Sequence, residues 1–184
     1  MLQVTLFTSL ILLFASVSAG GSSYKVKAAY LYQFTKFTQW PNELFSDKDE
    51  PIRICVLGRN PFANLLDGFT KKTSQKRPLS VEYLSSLETI TRCQIIFISQ
   101  SEEKRLAQIF QRLAHVPVLT VSDIDGFARR GGIIGFVPKL RKVGIEINVE
   151  ASKIAGTKLS SKLLKVATLV PGRLALNGSG VSPL

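Results

Sequence analysis

Apolar and polar positions along this chain follow first a helical period, then a strand period, and then the two in alternation. Between residues 24 and 40, Val26, Tyr30, Phe34 and Phe37 recur at helical spacing while Lys25, Lys27, Gln33 and Lys36 fall largely elsewhere. This predicts an amphipathic helix ended by Pro41. The run "IRICVLG" (52–58) is rich in β-branched residues and bounded by Pro51 and Gly58, as a buried strand is. Asn60 and Pro61 then offer an N-cap and a first-turn proline for a helix through "FANLLDGF". Further strands are expected at "LSVEYL" (79–84), "CQIIFISQ" (93–100) and "VPVLTVS" (116–122). A helix opened by Ser101 carries Leu106, Ile109, Phe110 and Leu113 on one face. Strand and helix in alternation imply an α/β fold, a mostly parallel sheet with crossover helices.

The final third changes rhythm. "GGIIGFV" and "VGIEINV" are separated by "PKLRK", which reads as an antiparallel hairpin added to that sheet. Val143, Ile145, Ile147 and Val149 point one way, and Gly144, Glu146 and Asn148 the other. A central strand covered on both sides is apolar throughout, so this one keeps a polar face that is solvated or used. One last helix is expected with Leu159, Leu163, Val166 and Val170 on one side and Ser160, Ser161, Lys162 and Lys165 around the other. The tail, 171–184, is expected to be mobile.

The first nineteen residues carry no charged side chain and end in a V-x-A pattern at Val17 and Ala19. They read as a secretory signal peptide, residues 1–19, with a retained membrane anchor as the alternative. The remainder, about 165 residues, is the size of a single domain. It holds all 24 basic and 13 acidic residues and therefore the whole net charge of +11, which favours an acidic partner. Nucleic acid is disfavoured, because export removes the usual target and the basic residues are spread along the chain. Two cysteines, Cys55 and Cys93, suggest one disulfide in an oxidising compartment; two buried thiols are the alternative.

Candidate chemistry is sparse. His115, the only histidine, sits where a helix end favours a cation, and no nucleophile motif accompanies it. Two cysteines 38 positions apart and one histidine make no metal cluster, and nothing calls for a cofactor. Asp123 and Asp125 in "SDIDGF" follow a strand, where α/β sheets place sites, although turn and helix capping is the preferred explanation. "GRNPF", with Gly58 and Asn60, offers a weak anion-binding turn without the glycines of a phosphate loop. Lys71, Lys72, Lys76 and Arg77 form a basic loop, solvated or steering a negative partner. The balance points to a binding protein that catalyses no reaction.

Five stretches in order, "KAAYLYQFTKFTQWP", "ICVLGRNPFANLLDGF", "CQIIFIS", "PVLTVSDIDGFARRGGIIGFV" and "IEINVEASKIAGTKLSSKLLKVA", resemble the YfiR/HmsC-like family of exported bacterial proteins. The resemblance runs from about Tyr24 to Val170, a single domain over 24–170. It implies a periplasmic α/β regulator that binds the periplasmic sensory domain of an inner-membrane diguanylate cyclase and represses cyclic di-GMP synthesis and biofilm formation. An outer-membrane peptidoglycan-binding lipoprotein is a second implied partner, and redox control is implied by cysteines at the positions of Cys55 and Cys93. A second cysteine pair of some relatives is absent here. Glu146 stands in the family's F-E-[IV]-N pattern, with Ile145 in place of the aromatic. With Asn148, Lys158, Ser160 and Ser161 it is expected to form a hydrogen-bonding partner patch; the alternative pairs Glu146 with a nearby Lys or Arg to close the hairpin. Tyr32 and Trp40 are either core or a surface for a partner or a homodimer. The rival reading is an exported small-molecule or anion-binding protein using Gly58, Asn60 and Asp123.

Overall fold

The computed structural model describes residues 20–140 and 142–171; the expected signal peptide and the tail beyond Pro171 lie outside the described residues. Helix α1 (Gly20–Phe37) leads into a two-residue strand β1 (Thr38–Gln39). The main sheet holds β2 (Ile52–Leu57), β3 (Thr73–Ser74), β4 (Arg77–Leu84), β5 (Ile95–Ile98), β6 (Leu119–Ser122), β7 (Ile134–Lys139), β8 (Lys142–Ile147) and β10 (Thr168–Leu169). Their order across the sheet is β10-β8-β7-β6-β5-β2-β4-β3. The five strands β4, β2, β5, β6 and β7 are mutually parallel, in the 2-1-3-4-5 order of a doubly wound sheet. The expected hairpin is present, β7 pairing antiparallel with β8 from Ile134↔Ile147 to Lys139↔Lys142.

Strand β5 is apolar throughout, and β2 is apolar but for Arg53, because both their faces are covered. On one side Ile54, Val56, Phe97, Phe136 and Ile145 pack with Leu31 and Phe34 of α1 and with Trp40. On the other, Cys55, Leu57, Ile96 and Ile98 pack with Leu106 and Ile109 of α2 (Leu106–Arg112) and with Phe127. Trp40 therefore belongs to the core, its indole Nε1 donating to the Gln94 carbonyl at 3.1 Å, whereas Tyr32 is half-buried against Phe69. The end of α1 is closed by distant groups. Gln75 Nε2 donates to the carbonyls of Thr35 and Thr38 (2.6 and 2.8 Å), and the Ser160 amide donates to that of Phe37 (2.8 Å). These bonds satisfy acceptors that a helix terminus otherwise leaves open.

Three expected elements differ. No α-helix follows Asn60: its carboxamide accepts from the Phe62 amide (2.8 Å) and donates to the Ala63 carbonyl (3.0 Å), Ala63 takes φ +50°, and only a 3-10 turn, Asp67–Lys71, forms. The side chain competes with the helix for the same backbone groups. Ser101 does not open α2; a 3-10 segment, Gln100–Arg105, precedes that helix, and Ser101 Oγ accepts from the Arg59 amide instead. The single last helix is broken into α3 (Val149–Ile154), β9 (Lys158–Leu159), α4 (Ser161–Val166) and β10. Asn148 caps α3, Gly156 at φ +75° lies just past its end, and Ser160 caps α4. Val149 is accordingly helical, and Val166 is exposed.

A Cβ on Gly132 would lie 2.1 Å from the ring of Phe127, which is buried. Gly132→Ala is expected to cost about 1–3 kcal/mol through this overpacking. Urea titration of Gly132→Ala, alone and with Phe127→Leu, checks it: the second change should recover part of the loss.

Candidate functional site

The carboxyl ends of β2 and β5 flank the point where strand order reverses, the usual crevice of such sheets. Here the chain fills it with its own groups. Ser99 Oγ donates to the Arg59 carbonyl (2.7 Å), and Ser101 Oγ accepts from the Arg59 amide (3.0 Å). The Glu102 carboxylate, buried and paired with Arg105 at 2.9 Å, lies against Gly58, where an added Cβ would be 2.7 Å from Glu102 Oε1. Asn60 is spent on its own turn. At the turn expected to hold an anion, Gly58 faces the Glu102 carboxylate and Asn60 is bonded within its own turn, while Arg59 between them is exposed.

At the end of β6, Asp123 Oδ2 accepts from Tyr24 Oη (2.8 Å) and from Lys27 Nζ (2.5 Å), and the ammonium also lies 4.2 Å from the centre of the Tyr24 ring. Both charged side chains are largely buried. This clasp ties α1 to the sheet across nearly a hundred residues, and no local signal in the sequence announces it. Asp125 is exposed and takes no part. Burial first, then the hydrogen bond and charge of Asp123, push the Tyr24 hydroxyl well above the ordinary tyrosine range. Its folded value exceeds the unfolded one, so its contribution to stability is complete below about pH 10 and lost as pH rises towards the folded value. Denaturant titrations between about pH 9 and pH 12 should show Tyr24→Phe losing less stability than the parent chain.

The expected partner patch is dispersed. Glu146 Oε1 accepts from Arg129 at 2.7 Å; its basic partner comes from the loop after β6, not from the hairpin. Ile145 and Ile147 point to the α1 side, so Glu146 points from the opposite face. Asn148 is buried, its Oδ1 accepting from the Ala151 amide (2.9 Å) and its Nδ2 donating to the Ala128 carbonyl (3.0 Å). Lys158 belongs to the small sheet that β9 forms with β1, beside α1. Ser160 Oγ accepts from the Leu163 amide as the cap of α4 (3.3 Å), and Ser161 is exposed on its first turn. These five residues do not converge on one surface. Asn148 and Ser160 act as caps, which their positions before Ala151 and Leu163 would have permitted reading. Arg129 was missed, having only the adjacent "ARRGG" as a signal.

A half-open cavity of about 800 Å³ lies between α2 and α3, with Phe110, Val118, Ile133 and Ile154 among its apolar walls and His115, Arg130 and Glu150 at its polar ones. His115 takes φ +60° beyond the α2 cap and borders this cavity. Of the basic loop, Lys71, Lys72 and Lys76 are exposed, whereas Arg77 donates to the carbonyls of Asp47 and Glu50 and stacks on Phe45. Cys55 and Cys93 form a disulfide with a Cα–Cα distance of 6.0 Å, joining β2 to the start of β5. Among the described residues no three His, Cys, Asp or Glu side chains are grouped to hold a metal ion, and no helix is long and apolar enough to cross a membrane.

The model of the YfiR/HmsC-like family matches residues 24–168, from α1 into β10. That span contains the sheet, both covering layers, the disulfide and the Asp123 clasp. The chain therefore belongs to the YfiR/HmsC-like family, whose members are periplasmic regulators acting through protein–protein contact and are not enzymes.

Proposed function

We propose that this chain is exported to the periplasm, binds the periplasmic sensory domain of an inner-membrane diguanylate cyclase and holds that enzyme inactive. Its removal then raises cyclic di-GMP and promotes biofilm formation, and an outer-membrane peptidoglycan-binding lipoprotein sequesters it when repression is lifted. The observation that carries this reading is the family match across the whole folded domain. The occupied crevice at Gly58 supports it over anion capture, since Glu102 already fills that position.

The contact surface includes the face of β7 and β8 that α1 leaves uncovered, with Glu146 and Arg129 at its centre and the exposed Lys158 and Ser161 outside it. Arg129 is half-exposed but the Glu146 side chain is only 14% exposed, so breaking the pair costs more than the about 0–1 kcal/mol of a surface pair. Glu146→Lys is expected to lose some stability, remain folded and relieve repression. Exchanging the charges, Arg129→Glu with Glu146→Arg, restores the pair but not repression if the partner reads Glu146 itself. Cyclic di-GMP levels in cells carrying each variant, beside melting curves of the purified chains, decide this; normal repression by folded Glu146→Lys removes the residue from the interface.

A further inference from the structure

The outer edge of β8 is only partly covered. Strand β10 pairs with Glu146 and Ile147 alone, so among the described residues no strand lies beside Lys142–Ile145 on that side. Which backbone groups face outward follows from the register. Pro138 is opposite Val143 and has no N–H to give, so theirs is a pair that exchanges no ladder bonds. Alternation then turns the N–H and C=O of Val143, Ile145 and Ile147 away from β7. The Ile147 carbonyl confirms the direction by accepting from the Val170 amide, on the outer side, at 2.9 Å. Val143 thus presents its N–H and C=O, and Ile145 its N–H, as unextended ladder positions beside β10, whose Leu169 is 55% exposed; the parallel register directs the Thr168 amide to the Ile145 carbonyl.

The side chains define what fits. Val143 and Ile145 face the α1 side with the core, so an added strand would place apolar side chains beside them. On the other face stand Lys142, directly opposite Lys139 in the last pair of the hairpin, and then Gly144. Two like charges across a strand pair repel, and neither lysine has an acidic partner among the described residues. A second copy would bring the same cationic hairpin to the edge, the device by which lysine discourages self-pairing. An acidic side chain on an incoming strand relieves the repulsion instead. A Cβ on Gly144 would crowd Val137 Cγ2 and Lys139 Cβ, each 3.1 Å away; the bare glycine leaves room for the incoming chain.

We propose that the open edge of β8 at Val143 and Ile145 takes up, by strand addition, an extended partner segment in which apolar and acidic residues alternate. Its assignment to a regulatory partner rests on the function proposed above; the strand addition itself does not.

The probe is an acetylated nine-residue peptide of alternating glutamate and valine, compared with one carrying lysine for glutamate and one with alternate amides N-methylated. On the full mature chain, the acidic peptide should slow hydrogen exchange at the Val143 and Ile145 amides and bind at least tenfold more tightly than either control. Val143→Pro removes only an outward donor, opposite a position already held by proline, and should abolish binding. Lys142→Glu, which leaves the backbone unaltered, should invert the preference between the charged peptides. Slow exchange at both amides in the free chain, equal binding of acidic and basic peptides, or binding unaffected by folded Val143→Pro would overturn the proposal. A Val143→Pro chain that loses the peptide yet represses normally refutes the edge as the regulatory contact and spares the regulator; a parent chain without effect on cyclase output refutes the regulator alone.

Discussion

Reduction of the mature protein, or replacement of both Cys55 and Cys93 by alanine, is expected to lower its melting temperature by roughly 8–16 °C. The cysteines are 38 residues apart. Closing a loop of that length removes enough freedom from the unfolded chain to be worth about 4 kcal/mol in the chain-entropy model. The bridge spans neighbouring strands at the middle of the sheet, with Cys55 opposite Ile96 in the β2–β5 register, and both sulfur-bearing residues are buried. The unfolded chain gains freedom on reduction while the native packing keeps most of its contacts. Thermal melts with and without reductant check this; the alanine pair adds a small packing loss, so reduction is the cleaner comparison. A shift below about 2 °C would mean that the constraint is already supplied by the β2–β5 pairing, corresponding to under about 1 kcal/mol.

Lys27→Met is expected to destabilise the fold by about 3–5 kcal/mol, because it leaves the Asp123 carboxylate buried without its cation. Tyr24 alone would then face Oδ2, while Oδ1 already has no protein partner. Lys27→Met combined with Asp123→Leu should cost far less than the single change, since an apolar pair of similar size replaces two desolvated charges. Urea unfolding of the parent, the single and the double variant measures both terms. Near-equal losses in the single and double variants would show that the site matters through packing of α1 and not through the charge pair. The cluster fixes the first turns of α1 against the sheet.

Much of this architecture was legible because it rests on local periodicity. The buried strands at Ile54, Phe97 and Val121 are short runs dominated by apolar residues, and the β7–β8 hairpin is announced by the turn between Pro138 and Val143. The elements that were missed turn on single polar side chains. Asn60, read as a cap, bonds so closely to Phe62 and Ala63 that it consumes the first helical turn. Asn148 and Ser160 look like members of a strand face and a helix flank until their backbone partners, Ala151 and Leu163, are known. Cys55 and Cys93 form the expected disulfide, and the polar face expected of β8 carries Glu146. Its partner Arg129 and the Tyr24–Lys27–Asp123 cluster depend on contacts between residues far apart in sequence, which periodicity does not encode. Nor does any local pattern place Glu102, from another loop, against Gly58.

The central claim is that this domain acts by covering a surface of a membrane cyclase. Its most direct test is to capture the purified chain, from Gly20 onward, on the isolated periplasmic domain of a diguanylate cyclase encoded beside it, and to measure cyclic di-GMP in cells with and without the chain. The account predicts saturable one-site binding and a rise in cyclic di-GMP on deletion that the wild-type chain reverses. No binding, together with unchanged cyclic di-GMP after deletion, would contradict it.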